Sequence, residues 1–307
     1  MHPKMHVKTR FRAVYLSVCL VLLQCPLAHA DYIYVTDKGA GTVMKYDANG
    51  SGYTFASGLN DPRGLAFDTS GNLFVASAGD GTITKFDPVG NSAPFYSGLS
   101  SPTGLAFDSF GNLFVAEAGI DTISKFDSEG TRSVFATNVL WLQHLTFDNG
   151  GNLYVSSIHD LLKFDSMGDR STFLQFLGYP NGLRVNDAGD FYYCYADDYN
   201  IIGIPADGSP SWLAWPFGGH YPAGFVSLDL DFGSNGDLYV AGAGKIWEID
   251  SGGNASVFAS GLSGAEFIAV QAVPEPGTWT LLVTGVAVLF GSLRYCCVAR
   301  VTRQREP

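Results

Sequence analysis

The stretch Gly64-Leu-Ala-Phe-Asp-Thr-Ser-Gly-Asn-Leu-Phe-Val-Ala76 returns 40 residues later as Gly104-Leu-Ala-Phe-Asp-Ser-Phe-Gly-Asn-Leu-Phe-Val-Ala116. A third copy, His144-Leu-Thr-Phe-Asp-Asn-Gly-Gly-Asn-Leu-Tyr-Val-Ser156, keeps the same spacing. Each copy is followed by a second short block: Ile83-Thr-Lys-Phe-Asp87, Ile123-Ser-Lys-Phe-Asp127 and Leu161-Leu-Lys-Phe-Asp165. The apolar runs are rich in aromatic and β-branched residues, too short for helices, and separated by Gly, Asn and Asp, which is the signature of strands joined by tight turns. In Asp-x-x-Gly-Asn the glycine is free to take the positive φ that a hairpin turn requires. Four such strands in a fixed period of about 40 residues make one blade of a β-propeller.

Degenerate copies continue the period at Gly182-Leu-Arg-Val185 with Gly189-Asp-Phe-Tyr192, and at Leu230-Asp-Phe232 with Gly236-Asp-Leu-Tyr-Val240 and Ile246-Trp-Glu-Ile-Asp250. Residues 31–272 divided by the period give six blades, in preference to seven. The two ends of this region are incomplete in complementary ways. Asp31-Tyr-Ile-Tyr-Val35 aligns with the second strand of a unit, whereas Gly264-Ala-Glu-Phe-Ile-Ala-Val270 aligns with an innermost strand that has no successors. Pairing the two predicts an all-β, six-bladed propeller closed by its N- and C-terminal strands, with no open seam in the ring.

The pattern Gly-Leu-Ala-Phe-Asp-x-x-Gly-Asn-Leu-Phe-Val-Ala with Ile-x-Lys-Phe-Asp resembles the NHL-repeat propellers and the broader group of SMP-30/gluconolactonase-like proteins and streptogramin lyases. The resemblance spans nearly all of 31–272 and rests on core and turn positions, so it implies the fold more than any activity.

The flanking segments carry addresses. Residues 1–30 hold Lys4, Lys8, Arg10 and Arg12, then the apolar run from Ala13 to Leu23, then Ala28-His29-Ala30. This order predicts a secretory signal peptide cleaved after Ala30, the alternative being an uncleaved anchor. At the other end Val273-Pro-Glu-Pro276 precedes an apolar stretch from Trp279 onward and a tail with Arg294, Arg300, Arg303 and Arg305. An apolar run with a Trp at one edge and arginines only behind it predicts a transmembrane helix at about 279–298 with the tail inside. The trio of Pro274-Glu275-Pro276, apolar helix and basic tail (273–307) resembles the PEP-CTERM sorting signal. That resemblance implies processing by an exosortase-type membrane protease and delivery to the cell surface or extracellular matrix, often in exopolysaccharide-producing cells. The chain is then expected to be held by the membrane before processing and exposed after it.

Composition divides along the same lines. The whole chain carries −11, yet 31–272 holds ten Lys and Arg against 27 Asp and Glu, near −17. Such a surface repels nucleic acid and anionic polymers. Cys194 is the sole cysteine of the exported region, so no disulfide can form within it. Packing alone holds the domain together.

In a propeller the first residues of the inner strands ring the mouth of the central channel. Counting back from the inner-strand core gives Arg63, Thr103, Gln143, Asn181, Leu228 and Glu266, with Ser227 or Asp229 as alternatives to Leu228. His144 fills a position that is glycine in the other close copies. The gluconolactonase resemblance implies a divalent metal, Ca²⁺ or Mg²⁺, held by Glu266, by Asn181 of Tyr179-Pro-Asn-Gly-Leu183, and by an aspartate, Asp229 or Asp231. Such a site would make the chain a metal-dependent lactone hydrolase. An ion pair between Arg63 and Glu266 is the competing arrangement, since an arginine beside the site repels a cation. A streptogramin-type lyase would instead use a histidine base with Mg²⁺. The irregular aromatic stretch with Trp212, Trp215 and Tyr221 is a candidate carbohydrate platform, because apolar sugar faces stack on rings. The repeated turn aspartates suggest Ca²⁺, or simply carboxylates accepting backbone N–H groups. Together these features favour a binding or scaffold module of the envelope or exopolysaccharide matrix, whose partners are polysaccharide or an envelope protein.

Overall fold

The computed structural model describes residues 31–157, 159–175, 180–195, 200–205, 213–214, 227–250 and 253–272. The expected signal peptide with Ala30, the aromatic residues Trp212, Trp215 and Tyr221, and the expected sorting signal with Pro274, Glu275, Pro276 and a membrane helix all fall outside these residues. Among the described residues no helix is long and apolar enough to cross a membrane.

Six antiparallel four-stranded sheets follow one another around a ring. Blades 2 to 6 are built from consecutive strands and start with the inner strands Pro62–Phe67, Pro102–Phe107, Leu145–Phe147, Pro180–Val185 and Ser227–Phe232. Blade 1 takes its inner strand from the far end of the chain: Ala265–Gln271 pairs with Tyr32–Asp37, followed by Thr42–Tyr46 and Gly52–Ser57. The register sets Val35 opposite Ile268 and Ile33 opposite Val270. Closure through both ends is therefore the architecture that the repeat arithmetic predicts.

Polar contacts reinforce this seam. The buried Asp37 carboxylate accepts from the Ser263 N–H (2.8 Å) and hydroxyl (2.6 Å). The Phe267 N–H donates to the Thr36 hydroxyl at 3.1 Å. Asp31, also buried, ties blade 1 to blade 6 by accepting from the Ser234 N–H (2.7 Å) and hydroxyl (2.8 Å). Satisfying buried carboxylates this way avoids the cost of desolvating them unpartnered.

Blades adhere through a repeated aromatic contact. Phe74, on the second strand of blade 2, meets Phe95 of its own outer strand edge-on (5.0 Å, 83°) and Phe107 of the next inner strand (5.0 Å, 72°). Phe114 repeats this with Phe135 and Phe147, and Tyr34 with Phe55 and Phe67. The lysine of Ile-x-Lys-Phe-Asp lies over the same ring: Lys85 over Phe74 at 5.1 Å and Lys125 over Phe114 at 5.2 Å. Lys85 also reaches Asp68 at 3.4 Å. The motif thus shields the outer side of each aromatic with an aliphatic stem and leaves its charge to the turn carboxylate.

Replacing Phe107 with alanine removes the contact between blades 2 and 3 and is expected to cost about 3 kcal/mol. Phe110, 85% exposed, is the control, and its alanine variant should stay within about 0.5 kcal/mol of the parent in denaturant melts.

Candidate functional site

Where the inner strands begin, they converge so tightly that side chains are excluded in three blades. A Cβ on Gly64 would lie 2.1 Å from the Thr103 carbonyl oxygen, and one on Gly104 would lie 2.6 Å from that of Gln143. The register of the inner strands puts Gly182, His144, Asp229 and Phe267 at the same level in blades 5, 4, 6 and 1. Three large side chains therefore fill the centre. The His144 ring stacks on Phe267 with centroids 4.4 Å apart and planes 19° from parallel. Blades 4 and 1 are opposite each other in a ring of six, so this pair bridges the channel and floors its mouth.

Beneath the floor lies an ion network that joins blades 4, 5, 6 and 1. Asp229 is 1% exposed. Its Oδ1 accepts from the Leu230 N–H at 2.8 Å and lies 3.4 Å from His144 Nδ1. Its Oδ2 accepts from the Ile268 N–H at 3.1 Å and from Arg184 at 3.4 Å. Asp231 accepts from Arg184 Nε at 3.2 Å and from the Val270 N–H at 2.8 Å. Arg184 also donates to the carbonyls of Ile268 (3.1 Å) and Leu183 (2.9 Å). The two carboxylates thus cap alternate N–H groups on the channel edge of the closing strand. On the far side the channel widens into a cavity of about 280 Å³, where small residues such as Ala66, Ala106 and Ala269 share the lining with Arg184 and Asp231.

Burial governs protonation here. It holds His144 well below its ordinary value, aided by the nearby Arg184 charge. Burial also pushes Asp229 up to about 6, against the pull of Arg184 and two backbone N–H groups. Asp231 is raised by the same cause.

At the mouth Glu266 meets Arg63 at 3.9 Å, the pairing anticipated from sequence, and two groups with no sequence signal join it. Lys38 lies 3.3 Å from both Glu266 and Asp61, and Asp61 lies 3.3 Å from Arg63. Thr103 is buried, its hydroxyl donating to the Leu142 and Ala116 carbonyls, so it braces the strand and leaves the mouth. Gln143, Asn181 and Leu228 stay half-buried on the rim.

These surroundings do not fit a bound Ca²⁺ or Mg²⁺. Glu266 is covered by two cations, and Asp229 already accepts from two backbone N–H groups and the Arg184 guanidinium. Among the described residues no three His, Cys, Asp or Glu are grouped to hold a metal. The turn aspartates are likewise occupied. Asp68 Oδ1 accepts the N–H groups of Ser70 and Asn72, both at 2.9 Å, while Oδ2 takes the Asn72 amide at 2.7 Å, and Asp108 repeats the arrangement.

No protein-family model and no curated protein matches the chain by sequence. Solved structures do match. A chain from a nidogen/laminin complex superposes with a TM-score of 0.70 at 16% identity, over 79% of this chain and 98% of that one. Virginiamycin B lyase from Staphylococcus aureus gives 0.59 at 14%, over 78% and 88%. A gluconolactonase from Xanthomonas campestris gives 0.59 at 15%, over 79% and 89%. What they share is the fold. At these identities the likeness establishes the six-bladed propeller fold and carries no family or activity with it.

The network makes a signed prediction about pH. A depressed histidine leaves the native state neutral while the unfolded chain takes up a proton, so its contribution is lost as pH falls below about 6.5. A raised aspartate acts oppositely: the native state takes up its proton near pH 6, where the unfolded carboxyl is still ionised, and stability rises on acidification toward pH 4. Substituting His144→Phe keeps a ring in the stack and removes the histidine's contribution. Relative to the parent, this variant should gain stability from pH 7 to 5, by up to about 1.4 kcal/mol per pH unit, in denaturant titrations.

Proposed function

We propose that the chain is an exported, surface-sorted propeller acting as a binding or scaffold module of the cell envelope or exopolysaccharide matrix, with polysaccharide or an envelope protein as partner. The observation that carries this reading is the closed floor of the channel: a stacked His144–Phe267 pair bridges it and the acidic groups are already paired. What remains is a polar mouth above a closed floor, suited to holding a surface rather than enclosing a reacting molecule. The two terminal addresses read from sequence supply the location, with the basic-then-apolar order of the N-terminal end and the apolar-then-basic order of the C-terminal end as their support.

A metal-dependent lactone hydrolase would need Glu266 to shed Lys38 and Arg63, and Asp229 to leave Arg184. Neither rearrangement has support in the packing.

Cell fractionation tests the reading. The full chain should partition with the envelope and matrix, and deleting 273–307 should release it to the medium. An unchanged, soluble distribution in both cases would overturn the proposal. In parallel, Glu266→Gln and Asn181→Ala should leave the rate of lactone hydrolysis with added Ca²⁺ or Mg²⁺ at the uncatalysed background, as for the parent.

A further inference from the structure

Trp141 is the outlier of the mouth. It is 62% exposed and sits at φ 57, in the left-handed region that bulky residues rarely adopt. The repeat explains the backbone: Asp61 (φ 52) and Ser101 (φ 48) hold the same place two residues before a mouth residue. At that place Asp61 touches its mouth residue, Arg63, at 3.3 Å. Trp141 stands in the corresponding relation to Gln143, on the blade opposite Glu266. An indole ring in this position gains little from burial in the folded chain, and Leu140 beside it is 54% exposed.

Across the mouth, Lys38, Arg63, Asp61 and Glu266 form a quartet with no net charge. Two of its oxygens, Asp61 Oδ1 and Glu266 Oε2, are buried without a hydrogen-bond donor. Among the described residues their partners are the ion-pair contacts from Lys38 at 3.3 Å and Arg63 at 3.9 Å. The quartet itself is partly exposed at the mouth, Lys38 at 37%, Asp61 at 28%, Arg63 at 22% and Glu266 at 19%, so a ligand meets its rim while those two oxygens stay inside it. The floor between the two halves is the His144–Phe267 stack.

We infer that this mouth is a binding site for a neutral saccharide, with Trp141 as the stacking platform and the quartet as the hydroxyl-binding wall. This rests on the binding-module reading above and assigns it a ligand class and a place. A sugar hydroxyl both donates and accepts, so one ring can serve the partly exposed carboxylates and cations of the quartet together. A balanced quartet gives an ionic ligand no preference, and the acidic domain repels polyanions. The apolar face of a pyranose matches one exposed indole set among polar groups.

The test uses the full chain purified in detergent, titrated calorimetrically and by tryptophan fluorescence with cellohexaose, maltohexaose and a galactan hexaose, and with oligogalacturonate as the charged probe. A neutral hexaose should bind and oligogalacturonate should bind more weakly. Trp141→Gly, which suits the left-handed backbone and should melt no lower than the parent, is expected to weaken binding about tenfold, as should Glu266→Gln. Neutral sugar binding unaffected by both variants would overturn the assignment and leave the binding-module reading standing. So would binding of none of the neutral probes, preference for the charged one, or capture of an envelope protein through Trp141, provided the chain still partitions with the matrix. Loss of that partition overturns the broader reading instead.

Discussion

Hydrogen bonding between Tyr32–Asp37 and Ala265–Gln271 is the constraint on which the other blades depend. Each blade buries its aromatic strip only against a neighbour, so a row of blades leaves two raw faces and a ring leaves none. Joining strands more than 200 residues apart costs chain entropy, though the cost grows only slowly with length. The seam accordingly carries more than a ladder of backbone bonds. Asp37 with Ser263, Thr36 with Phe267, and Asp31 with Ser234 all lie along it. Pairings of such long range form slowly.

The centre of the ring is built on the opposite logic from its wall. The wall repeats: glycine at the closest approach, a phenylalanine toward the previous blade, a lysine over the ring. The centre does not. His144, Arg184, Asp229, Asp231 and Phe267 each occur once, and the contacts of His144 with Phe267 and Asp229 and of Arg184 with Ile268 connect blades that are not neighbours in the ring. A buried ion network of this kind is weak evidence for stability, because desolvation offsets much of its attraction. Its effect is on arrangement. Blades 2, 3 and 4 are nearly identical in their core positions, and the central side chains distinguish blade 4 from its neighbours by giving it a unique partner on blade 1.

The fold was legible because its determinants are local and periodic. Gly-Leu-Ala-Phe-Asp and Gly-Asn-Leu-Phe-Val state a strand, a turn and a strand, and the incomplete first and last units disclose closure. The pairing of Arg63 with Glu266 was also foreseeable from the mouth register. Arg184 and Asp231 were not assigned as a pair. The signal was present in the column Ala66, Ala106, Thr146, Arg184, Asp231, Ala269, where two opposite charges interrupt small residues. Their contact, however, follows from the curvature that brings separate blades together, and periodicity along one chain does not contain it. Lys38 escaped for another reason: it lies in a hairpin outside the repeated core and reaches the mouth by the length of its side chain. Trp141 belongs to no motif, and its interest lies in a backbone angle that sequence does not state.

Both ends of the ring leave from one face. Asp31 packs against Ser234 beside the Gly233–Gly236 turn, and Gln271 reaches the Gly71 carbonyl in the turn of blade 2, with Ala272 following. The mouth with Lys38, Arg63, Trp141 and Glu266 opens on the other face, where the inner strands begin. A propeller tethered through either end is thereby aimed: its anchored side turns toward whatever holds it, and its mouth points outward, a full strand length from the attachment.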